Sequence, residues 1–333
     1  IDKLSYLGLL GLIPAIGFSY IYITDKRKTG REVFGFAVAI QFLMIGFGSP
    51  LFGAIADKYG SSKAALYGVI LLIIGLYMMS KVQSSLEIII SQAIFGLGSA
   101  GCGTAVVLGA VGKAVEEKNR TLSLGIVMAA GSLGQFLIVP LAGFLIYLSG
   151  WTQSIIYLCF ISSIMIIFCF TLTLPKKNGE DSERNNRSLK SVLDEAFANK
   201  SYNLLTLGFF VCGFHVSFVA THLPAYLEDI SLPIWIGSWS LALIGLFNVF
   251  GTLMFGKMGD SKSKKNLLAI LYSLRAVLFL IFIFLPKNEI TILIFAALLG
   301  ILWLSTVPLT SGIISVIFGS LYMSMIYGFS FFS

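Results

Sequence analysis

"GAIADKYGSSK", residues 53 to 63, separates two long apolar runs with one acid, two lysines and two glycines. Much later, "GKMGDSKSKK", residues 256 to 265, separates another two runs with one acid, four lysines and two glycines. Gly53 matches Gly256 and Asp57 matches Asp260 at one offset, since 256 minus 53 and 260 minus 57 are both 203. Each stretch follows the second apolar run of its half of the chain. The sequence is therefore duplicated, and its two halves are expected to form two similar bundles about one central site.

The runs themselves set the class. Of 333 residues, 57% are hydrophobic and 12% charged, and the mean hydropathy is +0.91. A bilayer core about 30 Å thick is crossed by roughly 20 apolar residues in a helix. Runs of that length fall at 4–23, 33–52, 64–80, 88–111, 121–148 and 152–174, then at 202–226, 234–255, 266–285 and 290–312. An eleventh begins near Gly319, and the chain stops inside it at Ser333, having opened on Ile1. The expectation is an all-α, multi-pass membrane protein that breaks off within its eleventh helix and carries no cleavable signal peptide.

Basic residues sort by side. With the N-terminus inside, Lys3, Lys58, Lys63, Lys113, Lys118, Arg120, Lys176, Lys177, Arg184, Arg187, Lys190, Lys200, Lys257, Lys262, Lys264 and Lys265 are cytoplasmic, which is 16 residues. Lys26, Arg27, Lys28, Arg31, Lys81 and Lys287, six residues, lie on the other side, with Arg275 within a span. This bias places the N-terminus in the cytoplasm, and the net charge of +7 reports topology rather than nucleic-acid binding. The loop "TDKRKTGRE" runs against it. Residues 175–201 form the longest polar stretch, read as a cytoplasmic linker between residues 1–174 and 202–333, with a surface helix at "SLKSVLDEAFAN". Cys102, Cys159, Cys169 and Cys212 all fall in spans without C-x-x-C spacing and read as small apolar residues. No metal site and no cofactor are expected.

The 53–63 loop resembles the signature between helices 2 and 3 of the major facilitator superfamily, with Gly53, Asp57, Lys58, Gly60 and Lys63 matching and Ser61 and Ser62 departing from its basic tail. "AVVLGAVGKAV", "AAGSLGQF" and "THLPAYL" resemble bacterial members of its monocarboxylate-porter and oxalate/formate-antiporter group. The resemblance implies two pseudo-symmetric six-helix bundles, a monomer in an inner membrane, and alternating access. It also implies that Asp57 caps a neighbouring helix and pairs with a basic residue, latching the halves; a cap serving stability alone is the alternative. A carboxylate at a helix N-terminus meets unsatisfied N–H groups and the positive dipole end. Gly256 and Asp260 would do likewise in the second half.

Small residues let helices approach closely in lipid, so the glycine-rich spans 4 and 5, Gly96 to Gly112 and Gly125 to Gly143, are expected to form a tight sliding interface. All sixteen acidic residues can be placed in loops or at helix ends. Arg275, in "LYSLRAVLFLIF", is the intramembrane charge, and it either touches substrate or braces the second half. The resemblance would put a charged pair in helix 8, yet the comparable positions are Asn248 and Thr252. Tyr20, Tyr22, Gln135, Asn248, Trp303 and Ser305 are uncharged groups suited to a small-solute site or to helix–helix hydrogen bonds.

Both histidines lie in "HVSFVATHLP", residues 215 to 224. Seven residues is two turns, which puts His215 and His222 on one helical face, too far apart for a shared metal. Pro224 should bend or break the helix beyond His222. His215 is then a substrate candidate and His222 a gate or proton candidate; neutral rings bonded to neighbouring helices are the alternative.

The motifs of an enzyme are absent: there is no H-E-x-x-H, G-x-S-x-G or Walker loop. The resulting expectation is a secondary transporter of small organic anions, monocarboxylates first, with protons or a counter-transported anion as partners. An exporter of neutral or amphipathic molecules and a polytopic receptor are the alternatives.

Overall fold

A computed structural model describes residues 31–172 and 189–331. The expected first span, with Tyr20 and Tyr22, and most of the linker lie outside the described residues. The helices in chain order are α1 (Arg31–Tyr59), α2 (Ser61–Lys81), α3 (Ser85–Gly101), α4 (Thr104–Ala114), α5 (Arg120–Ser163) and α6 (Met165–Thr171). They continue with α7 (Leu189–Ala198), α8 (Lys200–Asp229), α9 (Ile234–Ser261), α10 (Lys264–Phe284), α11 (Glu289–Leu302), α12 (Thr306–Phe318) and α13 (Met323–Phe329). Eight helical stretches among the described residues are long and apolar enough to cross a membrane.

Local chemistry sets several boundaries. The Ser84 hydroxyl accepts from the Glu87 N–H, and the Glu87 carboxylate accepts from the Gln83 N–H, so α3 opens on a reciprocal cap. Asn199 Oδ1 accepts from the N–H groups of Ser201 and Tyr202 to start α8, and Asn288 Oδ1 accepts from Thr291 to start α11. Gly150, at φ 75°, kinks α5 and divides the fifth expected span from the sixth. The surface helix expected near the linker is α7, which buries Val192 and Ala196 and turns Asp194 and Glu195 outward.

Among the described residues span 6 is interrupted at Ile164, and spans 4 and 10 are interrupted midway. Span 4 splits into α3 and α4 at Cys102–Gly103, and span 10 splits into α11 and α12 at Trp303–Ser305. Cys102 and Ser305 are again separated by 203, as 305 minus 102 shows, so the interruptions are repeat-equivalent. α8, expected to bend or break at Pro224, runs without a break to Asp229. A proline withholds one backbone N–H, and an otherwise packed helix tolerates that loss; Leu223 and Pro224 are buried here.

Packing also differs from the expected pairing of spans 4 and 5. α3 lies against α1 and α2, whereas α5 lies along α9 from the other half. A methyl group at Gly98 would strike the backbone of Leu72 on α2, and one at Gly125 would strike the Thr252 carbonyl on α9. Small residues permit close approach without choosing the partner.

Candidate functional site

The repeated loops meet the ends of helices in the opposite half. Asp57, at the end of α1, accepts from Lys113 Nζ of α4 at 2.6 Å through Oδ1 and from the Met325 N–H of α13 at 2.8 Å through Oδ2. Asp260, at the end of α9, accepts from the N–H groups of Thr121 and Leu122 at the start of α5, at 2.9 and 3.0 Å. The donor pairing repeats at the same offset as the acids, because 325 minus 122 is 203. Each carboxylate occupies a helix N-terminus, where free N–H groups and the positive dipole end favour it.

Two glycines let the chains close to that distance. A methyl at Gly53 would collide with the backbone of Ser324 and Met325, and one at Gly256 would crowd Thr121, Leu122 and Gly125. Gly60 has φ 100°, in the left-handed region, and turns α1 into α2. Lys58 and Lys63 face outward, Lys58 lying over the Tyr59 ring. The basic partner of Asp57 is thus Lys113, 56 residues away in sequence. Its position at the end of span 4 was the available signal.

A cavity of about 520 Å³ lies between the halves, walled by α1, α3, α4, α5, α8 and residues 303–307 and 330–331. Its polar groups are hydroxyls and amides, among them Gln41, Ser49, Thr104, Gln135, Ser217 and Thr221. No Asp, Glu, Lys, Arg or His belongs to this lining among the described residues. The sequence of span 1, residues 4–23, contains none of the five either. On α1 the lining stops at Ser49, eight residues or about 12 Å short of Asp57, so the carboxylate caps lie beyond the cavity's end.

The expected site residues separate into two groups. Gln135 and Trp303 line the cavity, and Gln135 Nε2 also donates to the Leu241 carbonyl of α9 at 3.0 Å. His215 and His222 do share a face, but it is the one opposite the lining residues Gly213, Ser217 and Ala220. His215 packs on Phe279 of α10, and His222 faces outward beside Phe218. Helical spacing gave the common face; assuming that polar side chains mark the cavity gave the wrong side.

Asn248 and Arg275 are fully buried yet stand behind the wall. Asn248 Nδ2 donates to Ser132 Oγ at 2.6 Å, and its Oδ1 accepts from the Leu304 N–H at 2.9 Å. Arg275 Nη2 donates to the carbonyls of Leu302 and Trp303, and Nη1 to Cys212 Sγ at 3.5 Å. No carboxylate neutralises Arg275 among the described residues.

The sequence model of the Major Facilitator Superfamily matches residues 4–333. The chain belongs to this superfamily. The uncharacterized MFS-type transporter YcxA of Bacillus subtilis (strain 168) is 21% identical across 98% of the chain and 81% of its own length. Monocarboxylate transporter 13 of Bos taurus is 24% identical over 76% of the chain; the match spans 58% of the bovine protein. Among solved structures, the superfamily's proton:xylose symporter XylE, bound to 6-bromo-6-deoxy-D-glucose, aligns with 99% of the chain and 85% of its own at a TM-score of 0.68. Identity there is 14%, so the likeness establishes the superfamily fold.

Proposed function

We propose that the chain forms the translocation unit of a secondary transporter for small amphipathic organic solutes, working by alternating access in a cytoplasmic-type membrane with its N-terminus inside. The observation carrying the substrate class is a cavity whose lining is free of Asp, Glu, Lys, Arg and His among the described residues. Its volume of about 520 Å³ suits a small organic molecule, and apolar walls with scattered hydroxyls and amides suit a solute with few hydrogen-bonding groups. An ionised carboxylate in that space would leave water without gaining a cation, at a cost of several kcal/mol. The Nη atoms of Arg275 already end on two carbonyls and a thiol.

Alternating access is supported by the reciprocal caps. Asp57 and Asp260 each bind the opposite half at one end of the molecule, and both contacts can be released without breaking either bundle. The bundles are assigned to residues 1–174 and 202–333 with the linker between them. With no titratable Asp, Glu, Lys or His in the described lining, protons or a counter-transported anion would act through groups outside it, so exchange of the solute is the simplest cycle.

A second reading, transport of short monocarboxylates, is favoured by the bovine relative's name. The test is counterflow in proteoliposomes holding the transporter, with a panel of neutral amphipathic solutes set against short carboxylates at several pH values. Exchange of the neutral set alone is the expected result. Exchange confined to carboxylates overturns the substrate class, and binding of a solute without any counterflow favours a receptor.

A further inference from the structure

The interruption of span 10 leaves backbone groups that a continuous helix would pair, and three of them take a side chain from a neighbouring helix. Pro308 is the local cause. It has no N–H for the Leu304 carbonyl and its ring crowds that carbonyl, but it is tolerated in the first turn of α12. The Val307 N–H bonds to Leu304 at i−3 instead. The carbonyls of Leu302 and Trp303, at the end of α11, then accept from Arg275 of α10. The Leu304 N–H goes to Asn248 of α9, and Thr306 Oγ1 lies 3.1 Å from Cys212 Sγ of α8.

The arrangement explains a buried guanidinium with no acid beside it. A helix C-terminus carries about half a negative charge on its unsatisfied carbonyls, and a cation placed there is stabilised. Two neighbouring carbonyls also match two N–H groups of a planar guanidinium fork. The equivalent interruption in span 4 has no such device. Position 72, which stands 203 before Arg275, is a leucine, and Gly103 and Cys102 close that gap on the backbone carbonyls of Ala100 and Gly98.

We infer that Arg275 is a positioning residue for the transport cavity: together with Asn248 it clamps the interruption at Trp303–Ser305 and so sets the wall formed by Trp303, Leu304 and Val307. Asn248 joins the clamp to the other half through Ser132, itself a cavity residue. Arg275 therefore acts through the wall and does not touch the solute. The inference relies on the transporter reading for the meaning of the cavity, but the clamp itself is testable without any solute.

The test is amide hydrogen exchange, read by mass spectrometry on the detergent-solubilised or reconstituted transporter, for Arg275→Met, Arg275→Lys and Asn248→Leu. Removing a charge-assisted bond to buried carbonyls should speed exchange at residues 303–307 by about tenfold or more in Arg275→Met, while residues 101–105 keep their rates. Arg275→Lys, which keeps a cation and its donors, should restore most of the protection. Asn248→Leu should speed exchange at Leu304 even if Arg275→Met fails to fold. Unchanged exchange at 303–307 in the folded variants overturns the clamp, as does a uniform rise across 200–331, which marks Arg275 as a general packing residue. Should the exchange pattern hold while wild-type counterflow is absent for every solute, the clamp stands and the transporter reading fails.

Discussion

At the residue scale, the carboxylate caps make unequal demands. Asp57 has only 2% of its side chain exposed and depends on an ion pair as well as a backbone N–H. Asp260 has two backbone N–H groups, and the residue equivalent to Lys113 in its half is the outward-facing Val316. Lys113 belongs to the same half as Asp57, so Lys113→Met weakens closure only indirectly, by leaving the seated carboxylate unpaired, and should cost about 2 kcal/mol, below the full loss of a buried partner. Asp260→Asn keeps one acceptor oxygen and should cost about 1 kcal/mol. Spin labels at Lys118 and Lys262, exposed on loops of opposite halves, would report longer distances in that order. Equal effects would show that the ion pair contributes nothing beyond the cap. The histidines separate from the cavity in the same way. His222→Ala should leave counterflow within about twofold, whereas Gln135→Ala, which removes a cavity amide and its bond to Leu241, should raise half-saturation about tenfold.

At the element scale, two prolines in comparable apolar helices have opposite consequences. Pro224 sits in an unbroken α8, so Pro224→Ala should shift stability by less than about 1 kcal/mol in thermal unfolding. Pro308 marks a real interruption, and Pro308→Ala should slow amide exchange at 304–307 as span 10 closes toward a regular helix. Unchanged exchange there would mean that the gap is held open by tertiary contacts alone. These elements also show what could be read beforehand. Spans 2 to 10 were legible because crossing a bilayer fixes a minimum apolar length, but the helices run on past the apolar core, so the ends at Tyr59, Ser261 and Phe318 lie six or seven residues beyond those expected at 52, 255 and 312. The interruptions were not, since Pro308 and the Gly101–Gly103 pair look like ordinary span residues until the freed backbone groups are traced, in span 10 to Arg275 and Asn248 and in span 4 to the carbonyls of Ala100 and Gly98. Which spans the glycines join was equally hidden: Gly98 and Gly125 announce closeness but name no neighbour.

At the scale of the whole molecule, duplication was the most readable property and contact across it the least. The offset of 203 was visible in two short loops. That Asp57 reaches residue 325 and Asp260 reaches residue 121 required the fold, because 268 and 139 residues separate those partners. The side of α8 that meets the cavity was likewise a global fact, and periodicity alone could not supply it.

The two caps join the same pair of bodies at the same end, which makes them a bivalent linkage. Once one carboxylate is seated, the other meets its helix at a high effective concentration, so two weak bonds open and close as a unit. Loss of both should then cost less than the sum of the two single losses, a non-additivity that a double-mutant cycle on Asp57 and Asp260 would measure directly.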